Sequence, residues 1–113
     1  MKSRIMYIES KADGISGPAR IGRVNFTKSG KGIYYQGRLF LTLSGHGFKA
    51  NFFDAETGDH YWISGCKKKG EDRLYSGLIE IDPDVREEYW TEIRGMPARS
   101  GQKVIRCTGK HSR

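Results

Sequence analysis

No segment of this chain approaches the roughly 18 consecutive apolar residues of a membrane-spanning helix. The apolar run near the N-terminus, Ile5 to Ile8, is also far too short for the core of a secretory signal peptide. A cytoplasmic protein without membrane contact is therefore expected. Cysteine is scarce. Cys66 and Cys107 are the only two, and in a reducing compartment both read as free thiols. Neither a Cys-x-x-Cys nor a His-x-x-x-His spacing occurs. His46, Asp59, His60 and Cys66 are too scattered for a structural zinc site, and no metal is expected. A length of 113 residues leaves room for one domain and excludes the large cofactor-dependent folds, so no cofactor is expected either. The glycine-rich Ser29 to Gly32 lacks the Walker spacing and reads as a hairpin turn.

What the chain does have is rings and turns. The hydrophobic fraction is only 36% and the mean hydropathy −0.65, yet there are 6 Tyr, 5 Phe and 2 Trp. Large rings bury much area per residue, which lets a small polar chain close a core. Arg4 to Ser10 alternates with both faces apolar, as in a strand buried well inside a sheet. Ala19 to Thr27, Ile33 to Gln36, Leu39 to Leu43, Asn51 to Asp54, Asp59 to Ser64 and Leu78 to Ile81 read as further strands. They are separated by turns at Lys28 to Gly32, at Gly37 with Arg38, and at Glu56, Thr57 and Gly58. Asp82 and Pro83 then open a helix, with Asp82 as N-cap. Val85, Tyr89 and Ile93 form its inward stripe, Trp90 flanks it, and Gly95 and Pro97 stop it. The fold class predicted is mainly β: a small SH3-like barrel or highly curved antiparallel sheet of six to seven short strands with one C-terminal helix over 83–94. A two-sheet sandwich is the alternative. Residues 1–95 form the domain, and 96–113 form a basic tail expected to be disordered apart from a short strand at Lys103 to Cys107.

The net charge of +7 is unevenly placed. Residues 1–93 hold 14 Lys and Arg against all 13 Asp and Glu, whereas 94–113 hold six cations and no acid. Such ends attract polyanions in a salt-dependent way. The other cationic feature follows the aromatic strand His60 to Ile63: Cys66, then Lys67, Lys68 and Lys69, a turn at Gly70, and Asp72 with Arg73, read as the rim of a β-hairpin. Cations near a thiol favour the thiolate, so Cys66 is a weak candidate nucleophile, with His46 or His60 as its base. Without those partners fixed, a half-buried strand-end cysteine explains it better.

Three segments, Tyr61 to Tyr75 (YWISGCKKKGEDRLY), Gly17 to Val24 (GPARIGRV) and Ile81 to Trp90 (IDPDVREEYW), carry a resemblance. On them the chain resembles a family of small bacterial proteins of about this length, over residues 3 to 95. Some members bear the label 1-deoxy-D-xylulose-5-phosphate synthase. A thiamine-diphosphate enzyme needs a diphosphate and metal site and a far longer chain, so that label does not carry over, and the resemblance implies no catalytic residue.

The function expected is a small basic binding module that contacts nucleic acid, or a nucleic-acid-associated protein. Lys67, Lys68, Lys69, Arg73, Arg99, Lys103 and Arg106 would meet phosphate, with Trp62 or Tyr61 as a stacking platform. Tyr34 and Tyr35 are adjacent on one strand and face opposite ways, so at least one is expected outside. Two other classes compete: a protein-interaction module that binds no nucleic acid, and a thiol-dependent enzyme using Cys66. A monomer or weak dimer is expected.

Overall fold

The computed structural model describes residues 2–12, 14, 17–43, 50–70, 72–73 and 77–107. Eight strands follow in order: β1 Ser3–Ser10, β2 Ala19–Phe26, β3 Gly32–Tyr35, β4 Arg38–Thr42, β5 Phe52–Asp54, β6 His60–Gly65, β7 Gly77–Ile81 and β8 Val104–Cys107. The first six form a meander of antiparallel neighbours, and β1 pairs with both β2 and β6 and so closes the sheet into a barrel. The sandwich alternative is thereby set aside, and the fold is a small barrel that fits the SH3-like form. β7 and β8 extend the sheet. The first half of β2 pairs in parallel with β7 through Ala19 and Ile79, and its second half pairs with β3 through Asn25 and Tyr34. Among the described residues no helix is long and apolar enough to cross a membrane.

The two apolar faces of β1 explain the architecture. Met6 and Ile8 point into the barrel with Val24, Ile33, Tyr35, Phe40 and Ile63. Ile5 and Tyr7 point outward, where Ile21, Ile79, Ile81, Val85, Tyr89 and Trp90 form a second core. One strand thus serves two cores, as its double-sided hydrophobicity predicts. The tight turn between β3 and β4 is Gln36–Gly37, with φ of 51° and 76°, and Arg38 already belongs to β4. Positive φ at both central residues gives the twist a two-residue hairpin needs.

The helical segment 83–93 is less regular than its periodicity predicts. It runs as a 3-10 turn Pro83–Val85, an α turn Arg86–Glu88 and a π turn Tyr89–Ile93. Its end is widened, with the Arg94 amide reaching Tyr89 O at 3.0 Å. The wider turn buries the consecutive Tyr89 and Trp90 completely, their rings 5.1 Å apart in edge contact. Asp82 does not cap this segment through its side chain. That carboxylate accepts instead from Tyr35 Oη (2.5 Å) and Arg20 Nε (2.7 Å). A β-carbon at Gly22 would overlap Asp82 Oδ2 and come within 2.5 Å of Tyr35 Cε1, so the glycine makes room for this bond.

The domain boundary at residue 95 needs correction. Residues 97–107 hold a 3-10 turn (Pro97–Arg99) and β8, which pairs along the whole of β7 except Ile81. Gln102 O accepts the Trp90 indole N–H at 3.1 Å and Lys103 O accepts the Ile81 amide at 2.8 Å. The polar composition of this stretch hid two inward residues, Ile105 and Cys107, that cover the outer core.

Candidate functional site

Lys67, Lys68 and Lys69 do not sit on a hairpin. β6 pairs with β1 and β5, and β7 with β2 and β8, so β1 and β2 lie between them in the sheet. Two local contacts shape it. The Lys67 amide donates to Asp72 Oδ1 at 2.8 Å, and the Gly70 amide closes a turn on Lys67 O at 3.1 Å. Gly70 has a φ of +81°, and a β-carbon there would come within 2.9 Å of the Arg94 guanidinium carbon. The turn therefore lies directly on Arg94 and leaves the three lysines exposed, with no ion pair among the described residues. Glu71 lies outside those residues.

Arg94 links this turn to the other cationic region. Its guanidinium lies 5.2 Å from the Trp90 ring centroid, and that of Arg99 lies 5.9 Å from the same ring. Lys67 to Lys69 and Arg99, which are remote in sequence, thus share one end of the molecule. Lys103 is exposed beyond the Gln102 contact to Trp90. Arg106 is exposed too, but it alternates with the inward Ile105 and Cys107 and pairs across from Leu78, so it faces the other side of the β7–β8 flap.

The remaining expected contacts are placed differently. Arg73 is 7% exposed, its Nη1 donating to Gly17 O at 2.7 Å and standing 4.0 Å from the buried carboxylate of Glu9. It balances a buried charge, which its position in a basic run does not reveal. Tyr61 is half-buried against the barrel core, with Phe40 in edge contact at 4.7 Å and Arg38 at 5.6 Å. Trp62 packs partly on the outer core, with its indole donating to Ser64 Oγ at 3.2 Å. Neither offers a free ring face like that of Tyr34, which is 42% exposed, whereas Tyr35 is buried.

Tyr34 also has cationic neighbours. Asn25 pairs with both Ser3 and Tyr34, which sets Ser3, Asn25 and Tyr34 in one row on the outer face. Arg23, two residues before Asn25, is the diagonal neighbour of Tyr34, with Cα atoms roughly 7–8 Å apart. Arg23 lines a cleft of about 300 Å³ with Ser3, Arg4, Ile5, Cys66, Glu88 and Ile93. Its Nη2 is 2.5 Å from Glu88 Oε1. Arg4 is exposed and has no ion pair or hydrogen bond among the described residues. Its guanidinium lies across Gly65, where a β-carbon would come within 2.5 Å of Nη2. Sequence reading missed Arg4, Arg23 and Arg94 as members of the site. The usable signal was glycine at 65 and 70, flanking the lysine run, where a neighbouring guanidinium occupies the space of a side chain.

The thiol chemistry fares poorly. Burial pushes the Cys66 thiol up to about 12, the Asp72 carboxylate adds to this, and Arg4 only partly opposes it. The three lysines that were to activate it point to solvent. Sγ lies 3.9 Å from Ile5 O. His60 is exposed at the far end of β6, six residues or roughly 20 Å away, and His46 lies outside the described residues. His60, Asp59 and Cys66 do not converge, and among the described residues no group of three His, Cys, Asp or Glu could hold a metal ion.

Comparison of the chain with protein-family models, with curated proteins and with solved structures finds no match in any of the three.

Proposed function

We propose that this protein binds single-stranded nucleic acid at the end of the barrel formed by Arg4, Arg23, Lys67, Lys68, Lys69 and Arg99, with Tyr34 as the stacking ring. The observation that carries this reading is a cleft lined by Arg4 and Arg23 from two strands, which adjoins the solvent-facing lysine turn through Cys66 and lies diagonal to the exposed Tyr34. Lysines on a solvated turn act as mobile point charges that follow a phosphate backbone, whereas guanidiniums held in place favour bidentate contacts. An exposed ring next to them offers a face to an unpaired base, an interaction worth about 1–3 kcal/mol per base. Duplex binding is less well supported, because a base can reach Tyr34 only when it is unstacked.

The test is fluorescence anisotropy of a labelled single-stranded oligonucleotide over a salt series. For a Lys67/Lys68/Lys69→Ala variant, the slope of log K against log salt should become shallower by about 2, since each phosphate contact on a single strand contributes about 0.7. Tyr34→Ala should weaken binding with little change in slope. Absence of binding at low salt, or an unchanged slope in the triple variant, would sink the proposal.

A second reading has an observation of its own. Leu78 and Val104 are 48% and 36% exposed on one side of the β7–β8 flap, beside Arg106, and among the described residues β8 pairs only with β7. A strand edge with apolar neighbours suits an extended peptide from a protein partner. If nucleic acid fails to bind, that edge is where a protein-interaction module would act.

A further inference from the structure

We propose that the cleft between Arg4, Arg23 and Glu88 receives a terminal phosphate monoester of a single-stranded nucleic acid, whose end base rests on Tyr34. This deepens the proposed function and rests on it. Three features separate an end from an internal phosphate. The cleft holds about 300 Å³ and is walled by Ser3, Ile5, Cys66 and Ile93 as well as by charge. That is at the small end of ligand pockets and fits one group, not a strand passing through. Its cations are both guanidiniums, the side chains suited to a planar fork on phosphate oxygens, whereas the lysines remain outside on the turn. A phosphate monoester carries close to two negative charges and three acceptor oxygens, which a backbone diester does not.

Glu88 gives the cleft its selectivity. It holds one edge of Arg23 at 2.5 Å while its own side chain stays 49% exposed, and it adds a negative charge to the rim. A weakly charged diester gains too little from Arg4 and half of Arg23 to overcome that repulsion. A dianion, which can compete for Arg23, gains more. Among the described residues Arg4 has no acidic partner to lose, so it is the first contact. Tyr34, diagonal to Arg23 across β2 and β3, then lies within reach of the base attached to that phosphate.

The experiment compares three oligonucleotides of one sequence, ending in a 5′-phosphate, a 3′-phosphate or hydroxyls only, at one fixed moderate salt. One phosphorylated form should bind about tenfold tighter than the hydroxyl form, the gain expected from charge-assisted hydrogen bonds to the extra oxygens. Arg4→Ala should remove that gain, so that the phosphorylated and hydroxyl forms bind the variant with affinities within about twofold of each other. Glu88→Gln should tighten binding of the phosphorylated form, a result that a purely structural ion pair would not give. Inorganic phosphate and a nucleoside monophosphate serve as competitors. If either displaces the oligonucleotide at concentrations close to the oligonucleotide's own, the cleft serves a small phosphorylated molecule and the inference is overturned. Equal binding of all three oligonucleotides overturns it while leaving the proposed function standing. Failure of all three to bind removes both.

Discussion

Asp72 and Asp54 show how one residue type is driven in opposite directions. Asp72 is buried under the lysine turn, with Oδ2 lacking a hydrogen-bond partner. Burial raises its carboxyl above the ordinary 3.8, against the Lys67 amide and the charges of Lys67 and Arg94. A raised carboxyl contributes stability that is present below the unfolded value and lost as pH climbs through the folded one. Asp72→Asn keeps an acceptor for the Lys67 amide and removes the buried charge. Its melting temperature relative to the parent should therefore improve as pH rises from 4 to 7, and a difference that stays constant with pH would show that burial does not control this group. Asp54 works the other way. Burial raises its carboxyl, but the amides of Glu56 (2.7 Å) and Thr57 (3.2 Å) and the Arg38 guanidinium together lower it. Its contribution is present above 3.8 and lost as pH falls through the lower folded value. The two residues read alike in sequence, each an aspartate beside a turn.

Among the elements, the strands were legible because alternation and turn chemistry are local. β1 to β7 begin and end within a residue or two of the apolar runs that predict them, and the turn before Gly58 has the φ of +82° its glycine implies. Pairing was less legible. Nothing in Lys67 to Arg73 says that β6 and β7 are not neighbours, because that depends on β1 lying between β6 and β2 to close the barrel. For the same reason the candidate site was only half visible: the lysines and Arg99 stand out as charge, but Arg4 and Arg23 join them only through the β1–β2 register. β8 matches the short strand expected at Lys103 to Cys107, but its docking was not legible, since the Ser- and Gly-rich composition around it masks the inward Ile105 and Cys107. Cys107 is buried in the outer core and Ile105 packs partly against it, which together stabilises the fold by about 2–3 kcal/mol. A chain ending at Gly95 should lose about that much in urea denaturation, along with the Trp90 indole bond to Gln102. An unchanged midpoint would mean that β8 is dispensable. Loss of nucleic-acid binding in such a truncated chain would therefore report on folding as much as on Arg99.

At the scale of the whole molecule, closure removes the edges that a six-stranded meander would expose, and among the described residues β8 ends the sheet as an unpaired edge. The net charge of +7 gives a field that attracts polyanions from any direction. On the proposed function, the grouping of cations at one site sets where a polyanion settles, and salt should weaken the first effect more than the second.

The position of β1 between two cores also sets an order of events in time. Ile8 pairs with Arg20 but also with Ile63, so one partner strand is near in sequence and the other is far. Joining distant segments costs more chain entropy and comes later. Ile63→Ala should therefore speed unfolding while barely slowing folding, whereas Val24→Ala should slow folding itself; stopped-flow traces showing the reverse would mean that the barrel closes first. On a ribosome, the hairpin of β1 and β2 has to wait with two greasy sides uncovered until much of the rest has been made, which makes nascent chains, and not the finished barrel, the form most in need of a chaperone.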